Sequence, residues 1–167
     1  MKAMQKRARC VAITICDLGS SAVHLDDVRA RCERHAARLV ALHDPEPVWS
    51  RSRAINVAVR CSPAGARYVF PTDVDMLFAP DFVRVVLATH LAMSDRAIVI
   101  SDALDLPPEA LLGEVDAASS FARLARMGHR RNCLGSGACQ SVPRSWYENV
   151  RGYDERLVGW GYEDDDL

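Results

Sequence analysis

The sequence predicts an α/β fold with a Rossmann-like, mostly parallel, doubly wound sheet. Three observations predict it. Short apolar runs recur at 10–16, 38–43 and 96–101, the first of them continuous and rich in β-branched residues, as expected of a strand buried on both faces. Stretches of helical periodicity separate those runs, and strands alternating with helices argue for parallel pairing through crossovers. A further strand, Arg67-Tyr68-Val69-Phe70, runs into Asp73 and Asp75. In a parallel sheet that end opens into the crevice where such sheets bind ligands.

Taken in order, Cys10-Val11-Ala12-Ile13-Thr14-Ile15-Cys16 is the first strand, ended by the turn Asp17-Leu18-Gly19-Ser20-Ser21. Leu25, Val28, Cys32, Ala36 and Leu39 come next at helical spacing, with Asp26 and Asp27 expected in a first turn, where negative charge suits the helix dipole. Residues 38–43 read as a second strand, closed by Asp44-Pro45-Glu46-Pro47. Residues 50–61 read as a short helix with Ile55, Ala58 and Val59 inward, and Ser62-Pro63-Ala64-Gly65 returns the chain to the Tyr68 strand. Past the two acids, Pro80 suits a helix start and Asp81 its first turn, with Phe82, Val83, Val86, Leu87 and Leu91 as the apolar face. A strand at 96–101, a loop or helical turn over 102–114 and a helix over 115–127, ended by Gly128, complete the middle of the chain. The last third differs: Gly135-Ser136-Gly137 opens onto a short strand, residues 144–150 make a turn of helix, and an aromatic, Gly-rich loop ends in the four consecutive acids 163–166.

A chain of 167 residues with 49% apolar content fits one domain with a real core. Its 21 basic and 22 acidic residues leave a formal net charge of −1, so no global field points to nucleic acid. Any binding falls to a local site. The basic start leads into an apolar run too short for a signal peptide, and no later run reaches the ~18–20 apolar residues of a membrane span. A cytoplasmic protein without a membrane span is expected. The six cysteines form neither Cys-x-x-Cys pairs nor a dense disulfide pattern, and are expected as reduced, mostly buried thiols.

Asp73 and Asp75 carry the first chemical signal. Paired carboxylates at i, i+2 suit hard or borderline ions such as Mg²⁺ or Mn²⁺, which keep positions open for the oxygens of a diphosphate. A solvated turn after a strand is the competing reading of this motif taken alone.

Two motifs nearer the C-terminus give those acids their meaning. Asp73-Val74-Asp75, then Gly152-Tyr153-Asp154-Glu155 and Gly159-Trp160-Gly161-Tyr162-Glu163-Asp164-Asp165-Asp166, resemble the GT-A nucleotide-sugar glycosyltransferases of the galactosyltransferase and chondroitin-polymerase type. Upstream, Asp17-Leu18-Gly19-Ser20 resembles that group's D-x-G-S turn, and Arg53-Ala54-Ile55-Asn56 its A-R-N element, in the same order. The resemblance implies a metal-dependent, inverting transfer of a hexosyl or N-acetylhexosaminyl group from a UDP-sugar to a glycan or oligosaccharide hydroxyl, as in polysaccharide biosynthesis. The nucleotide part would span about residues 10–78 and the acceptor and catalytic part about 133–167 of a single domain.

Residue by residue, the resemblance implies that Asp17 meets the nucleotide base and that Arg53 and Asn56 lie near the ribose or diphosphate. Asp75 would hold Mn²⁺ or Mg²⁺ directly, with Asp73 on the ribose or on metal-bound water. Asp164 would be the base that takes the acceptor proton, and Glu163 would bind acceptor hydroxyls. Gly137 would line the donor sugar. Trp160 is either a platform for a sugar face or a core residue, and Asp17 has the alternative of capping the next helix with Ser20 and Ser21.

The chain departs from the pattern twice. The family's first strand and helix have no counterpart before Cys10, and no His stands after the acidic run to complete a metal shell. A sheet open at its edges predicts self-association or a partner subunit. The alternative function is therefore a catalytically inactive fragment that binds nucleotide sugar, metal or a partner. A metal-dependent phosphotransferase or nuclease is a third reading, disfavoured by the Trp160 motif.

Overall fold

A computed structural model describes residues 11–43, 48–111, 117–130 and 139–159. The chain divides into two compact units, one of residues 1–66 and 153–160, the other of residues 67–152 and 161–167.

In the first unit, β1 (Thr14–Leu18) lies parallel to β2 (Arg38–Leu42) in the register Cys16 to Val40 and Asp17 to Ala41. The connection is α1 (Ala22–Arg34), which buries Leu25 and Cys32, two turns apart on one stripe. The helix closes with Ala37 N–H donating to the Cys32 carbonyl at 2.8 Å, and Ala36 takes a left-handed φ of 52° there. Helix α2 (Arg51–Cys61) begins at Ser50, whose hydroxyl accepts from the Arg53 N–H at 3.2 Å. Its deepest positions are Ser52 and Asn56, one turn apart.

The second unit is built differently. Its first two strands are β3 (Tyr68–Val69) and β4 (Val99–Ile100); a second ladder pairs β5 (Leu104–Asp105) with β6 (His129–Arg130), antiparallel. Strand β7 (Gln140–Pro143) runs between β3 and β4, antiparallel to both, and all four of its residues are buried. Val142, opposite Val69, is fully buried. Helices α3 (Phe82–Ala92), α4 (Ala117–Met127) and α5 (Arg144–Asn149), with a 3-10 turn at Pro108–Leu111, complete the described part. Gly128 follows the last residue of α4, and a Cβ there would stand 2.8 Å from the Leu104 Cβ.

The expected α/β class is present, with several corrections. Among the described strands β1 and β2 alone pair in parallel, in place of a mostly parallel, doubly wound sheet. An apolar run is silent on strand direction, and the burial on both faces expected of it is not reached either: β1 is half-buried throughout, and β2 is half-buried apart from the exposed Arg38. The first strand begins at Thr14 and carries on through Asp17 and Leu18. Asp26 and Asp27 fall in the second turn of α1, and Ala36 and Leu39 lie beyond its end. The 96–101 strand shrinks to two residues. Asp81 is the N-cap of α3, with Pro80 in the turn before it. Val83 and Leu91 stand exposed, at 41% and 60%, because the buried stripe of α3 runs through Val86 to His90. Of the described cysteines, Cys32 and Cys139 are buried, whereas Cys16 and Cys61 are half-buried.

Candidate active site

The expected site residues fall in both units. In the first unit Asp17 closes the turn after β1: its carboxylate accepts from the Ser20 N–H at 3.1 Å and the Ser20 hydroxyl at 2.5 Å. Gly19, at φ 83°, supplies the left-handed step that folds the turn back. Ser21 is the N-cap of α1 and makes no side-chain cap bond. The carboxylate of Asp17 thus shapes the loop leaving the carboxyl end of β1 and does not cap the helix.

Arg53 lies in the first turn of α2, in the electrostatic surroundings of the same strand end. Burial pushes the neighbouring Cys16 thiol above its ordinary value, Asp17 and Cys61 add to the rise, and Arg53 and Arg60 oppose it. A carboxylate and two guanidinium groups therefore act on one place.

Asn56, which the resemblance places near the ribose or diphosphate, commits its side chain to hydrogen bonds within the protein. It is 4% exposed. Its Nδ2 donates to the Tyr153 carbonyl at 2.8 Å and to Glu155 Oε1 at 3.0 Å, and its Oδ1 accepts from the Tyr153 N–H at 3.0 Å. Arg60, one turn on, also reaches Glu155, at 3.4 Å. At the start of the helix, the Ser50 hydroxyl donates to the Leu157 carbonyl at 3.1 Å, and the Gly159 N–H donates to the Trp49 carbonyl at 2.9 Å. Residues 153–159 are tied to α2 at both ends.

The segment also has its own internal order. The Arg156 side chain and backbone N–H both bond Asp154 and hold its carboxyl down at about 2. Gly159 needs its φ of 88° for direction, since nothing stands within 4 Å of where a Cβ would be. In the second unit, Arg151 and Gly152 leave α5 through successive left-handed steps, φ 70° and 72°, with Gly152 N–H on the Tyr147 carbonyl at 2.9 Å. Both described glycines of the signature thus answer to backbone geometry.

Asp73 and Asp75 stand on an exposed turn beyond β3, with Val74 between them 92% exposed. Pro71, which has no N–H to offer a ladder, comes soon after the strand. Phe70, Phe78 and Phe82 pack together with centroids 4.8–5.6 Å apart and gather the two ends of the loop. Two hard carboxylates fit a small divalent ion that retains other positions for water and phosphate. Among the described residues no group of three His, Cys, Asp or Glu side chains gathers around one point.

Sequence reasoning passed over His90. It is fully buried on α3, stacks on Tyr68 at 4.3 Å, and places Nε2 2.9 Å from the Ser141 hydroxyl of β7. Tyr68 in turn donates to Asp95 at 2.6 Å, and Arg67 pairs with the same carboxylate. Its i+4 spacing from Val86 was the available signal, masked by the habit of assigning buried stripes to apolar residues.

Gly137, Trp160, Glu163 and Asp164 lie outside the described residues. Residues 120–167, just under a third of the chain, match the family model described as the N-terminal domain of galactosyltransferase. That stretch includes the whole of the Gly-Tyr-Asp-Glu and Gly-Trp-Gly-Tyr-Glu-Asp signature. The match supports a glycosyltransferase. No curated protein and no solved structure matches the chain. Among the described residues no helix is long and apolar enough to cross a membrane.

Proposed function

We propose that this protein is a glycosyltransferase that moves a hexosyl or N-acetylhexosaminyl group from a UDP-sugar to a glycan or oligosaccharide hydroxyl with inversion. The observation that carries the reading is the acidic signature at 152–166 inside the segment that matches the galactosyltransferase model. In the proposed step the acceptor oxygen attacks the anomeric carbon while Asp164 takes its proton, at a working distance of ~2.6–3.2 Å. The bond from that carbon to the phosphate oxygen breaks, and UDP leaves with the electron pair.

Glu163 holds acceptor hydroxyls, Trp160 meets a sugar face and Gly137 leaves room for the donor sugar. Asp17 meets the base and Arg53 the diphosphate; both groups act on the Cys16 thiol at the end of β1, which supports that assignment. A Mn²⁺ or Mg²⁺ ion at Asp75 and Asp73 supplies charge neutralisation for the diphosphate. The work belongs to cytoplasmic polysaccharide synthesis.

A thermal-shift screen of nucleotide sugars with and without Mn²⁺ tests the donor class, because a ligand that binds only the folded state raises the melting temperature. Stabilisation by a UDP-sugar only with metal is the expected result. Asp164→Asn is then expected to abolish transfer while donor binding persists. Metal-dependent UDP binding without transfer or donor hydrolysis would identify a binding module, and hydrolysis indifferent to the sugar would identify a phosphotransferase or nuclease.

A further inference from the structure

The second acidic cluster comes soon after a segment that the structure ties down, and the tie is made by the N-cap of α2 and by Asn56 within it. Asn56 uses its side-chain amide as a peptide group would, one acceptor and one donor on the N–H and carbonyl of Tyr153. Those partners sit 97 positions along the chain. Ser50 uses one hydroxyl twice, as cap of α2 and as pin on Leu157. Both side chains are buried, at 4% and 2% exposed, and Tyr153 is 2% exposed, so water is no substitute for the bonds lost on substitution. Ser50 and Gly159 also form a parallel bridge. The residue after Gly159 is Trp160, and Glu163 and Asp164 come within a few positions.

We propose that Asn56 and Ser50 are positioning residues: a latch on α2 that fixes residues 153–159 and so sets where the chain departs towards Glu163 and Asp164. The catalytic half of this inference rests on the glycosyltransferase reading above. The chemistry favours this use of Asn over ligand contact. An amide matches a peptide group donor for donor and acceptor for acceptor, whereas a phosphate or ribose contact would need those same atoms exposed. Arg53 shares the helix with the latch, so the residue proposed for the diphosphate and the anchor of the acidic segment move as one rigid element.

The test uses the full chain with Asn56→Ala, Asn56→Asp and Ser50→Ala. Asn56→Asp keeps an acceptor for the Tyr153 N–H and loses the donor for the Tyr153 carbonyl. Hydrogen exchange at the Tyr153 and Gly159 amides reads the latch directly, and acceleration on the order of tenfold is expected in Asn56→Ala, with Asn56→Asp between it and the unsubstituted chain. UDP release from UDP-galactose with Mn²⁺, water standing in for the acceptor, reads the consequence. Its kcat is expected to fall on the order of 10- to 100-fold while Kd for UDP with Mn²⁺ stays unchanged, since misplacing a reacting group slows chemistry without loosening the donor.

Unchanged exchange at Tyr153 and Gly159 in all three variants would overturn the latch. A Kd for UDP that rises in step with the loss of rate would overturn it as well, by making Asn56 a donor contact. If the unsubstituted chain releases no UDP from UDP-galactose, the transfer reading fails for that donor, and the exchange result still decides the latch. Should Asn56→Ala not fold, Asn56→Asp and Ser50→Ala carry the same two readouts.

Discussion

The two units bury polar groups for opposite ends. In the first, Asn56, Ser50 and Ser52 are buried on α2, and the amide and hydroxyl that reach residues 153–159 are neutral groups bonded to neutral backbone or a nearby carboxylate. In the second, the buried polar centre is ionisable: His90 lies against Ser141 and Tyr68, and Tyr68 leads to Asp95 and Arg67. Neutral pairing holds a chain in place at any ordinary pH, whereas an ionisable centre ties stability to proton concentration. One unit is built to hold a segment; the other carries the acid-side pH response.

The largest effect expected from this contrast is that of Asn56→Ala, which leaves the N–H and carbonyl of Tyr153 buried and unmatched by the side chain that now bonds them. Orphaning groups of that kind should lower stability by about 3 kcal/mol. Hydrogen exchange should locate the loss in β1, β2 and α2, with the amides of β7 unmoved. Equal loss of protection in both units would show that they unfold together and would break the comparison at its root.

Val142→Ala is the counterpart in the second unit. The side chain is fully buried in the middle strand of its sheet, and removing two methyl groups there should lower stability by about 2 kcal/mol, read as a shift in urea midpoint. Protection of β3, β4 and β7 should fall while β1 and β2 keep theirs.

Acid sharpens the contrast further. Burial pushes the His90 imidazole below its ordinary value of 6.5, partly offset by Asp95. The unfolded chain then binds more protons than the folded one between that ordinary value and the depressed one. Stability of the second unit is complete above 6.5 and falls as pH drops below it, until the folded imidazole itself protonates. His90→Phe, which keeps the stacking on Tyr68, should flatten that limb of a stability profile measured above the range where Asp95, held down by Tyr68 and Arg67, takes up its proton. In the first unit burial raises the Cys16 and Cys32 thiols above 9.0, so its counterpart limb is alkaline, with stability lost as pH climbs past 9.0. An acid limb that survives His90→Phe would sink this part of the comparison.

Exposed ion pairs set the floor in both units. Arg29 with Asp26 in the first and Arg84 with Asp81 in the second are solvent-facing pairs at i, i+3. Arg29→Ala and Arg84→Ala should each change stability by less than about 0.5 kcal/mol in thermal denaturation at moderate salt.

Much of the fold is legible in the sequence because the signals are local. The runs that form β1 and β2, the stripe of Leu25 and Cys32, the Ser50 start of α2 and the end of α4 at Gly128 each depend on a few neighbouring residues. The fold is least legible where a partner arrives from far along the chain. Residues 96–101 read as a full strand because their apolar content is visible, while β7, which limits the pairing to Val99 and Ile100, lies some forty positions on. The candidate site divides the same way. Its acids are recognisable as chemistry, and its described glycines as special backbone. Asn56 stands out as a polar residue with a task, but its partner on the far side of the sequence does not.

Most strand and helix periods, the paired acids at 73 and 75 and the acidic signature at 152–166 are written in the sequence by itself: it determined the main elements, though not the short β5–β6 ladder, and the reactive groups they carry. Tertiary structure alone decided that β7 runs antiparallel between β3 and β4, that His90 takes a core position, and that the Asn56 amide closes on Tyr153. The reason is that periodicity and side-chain chemistry are properties of a short stretch, whereas strand direction and hydrogen-bond partnership belong to pairs of stretches brought together by folding.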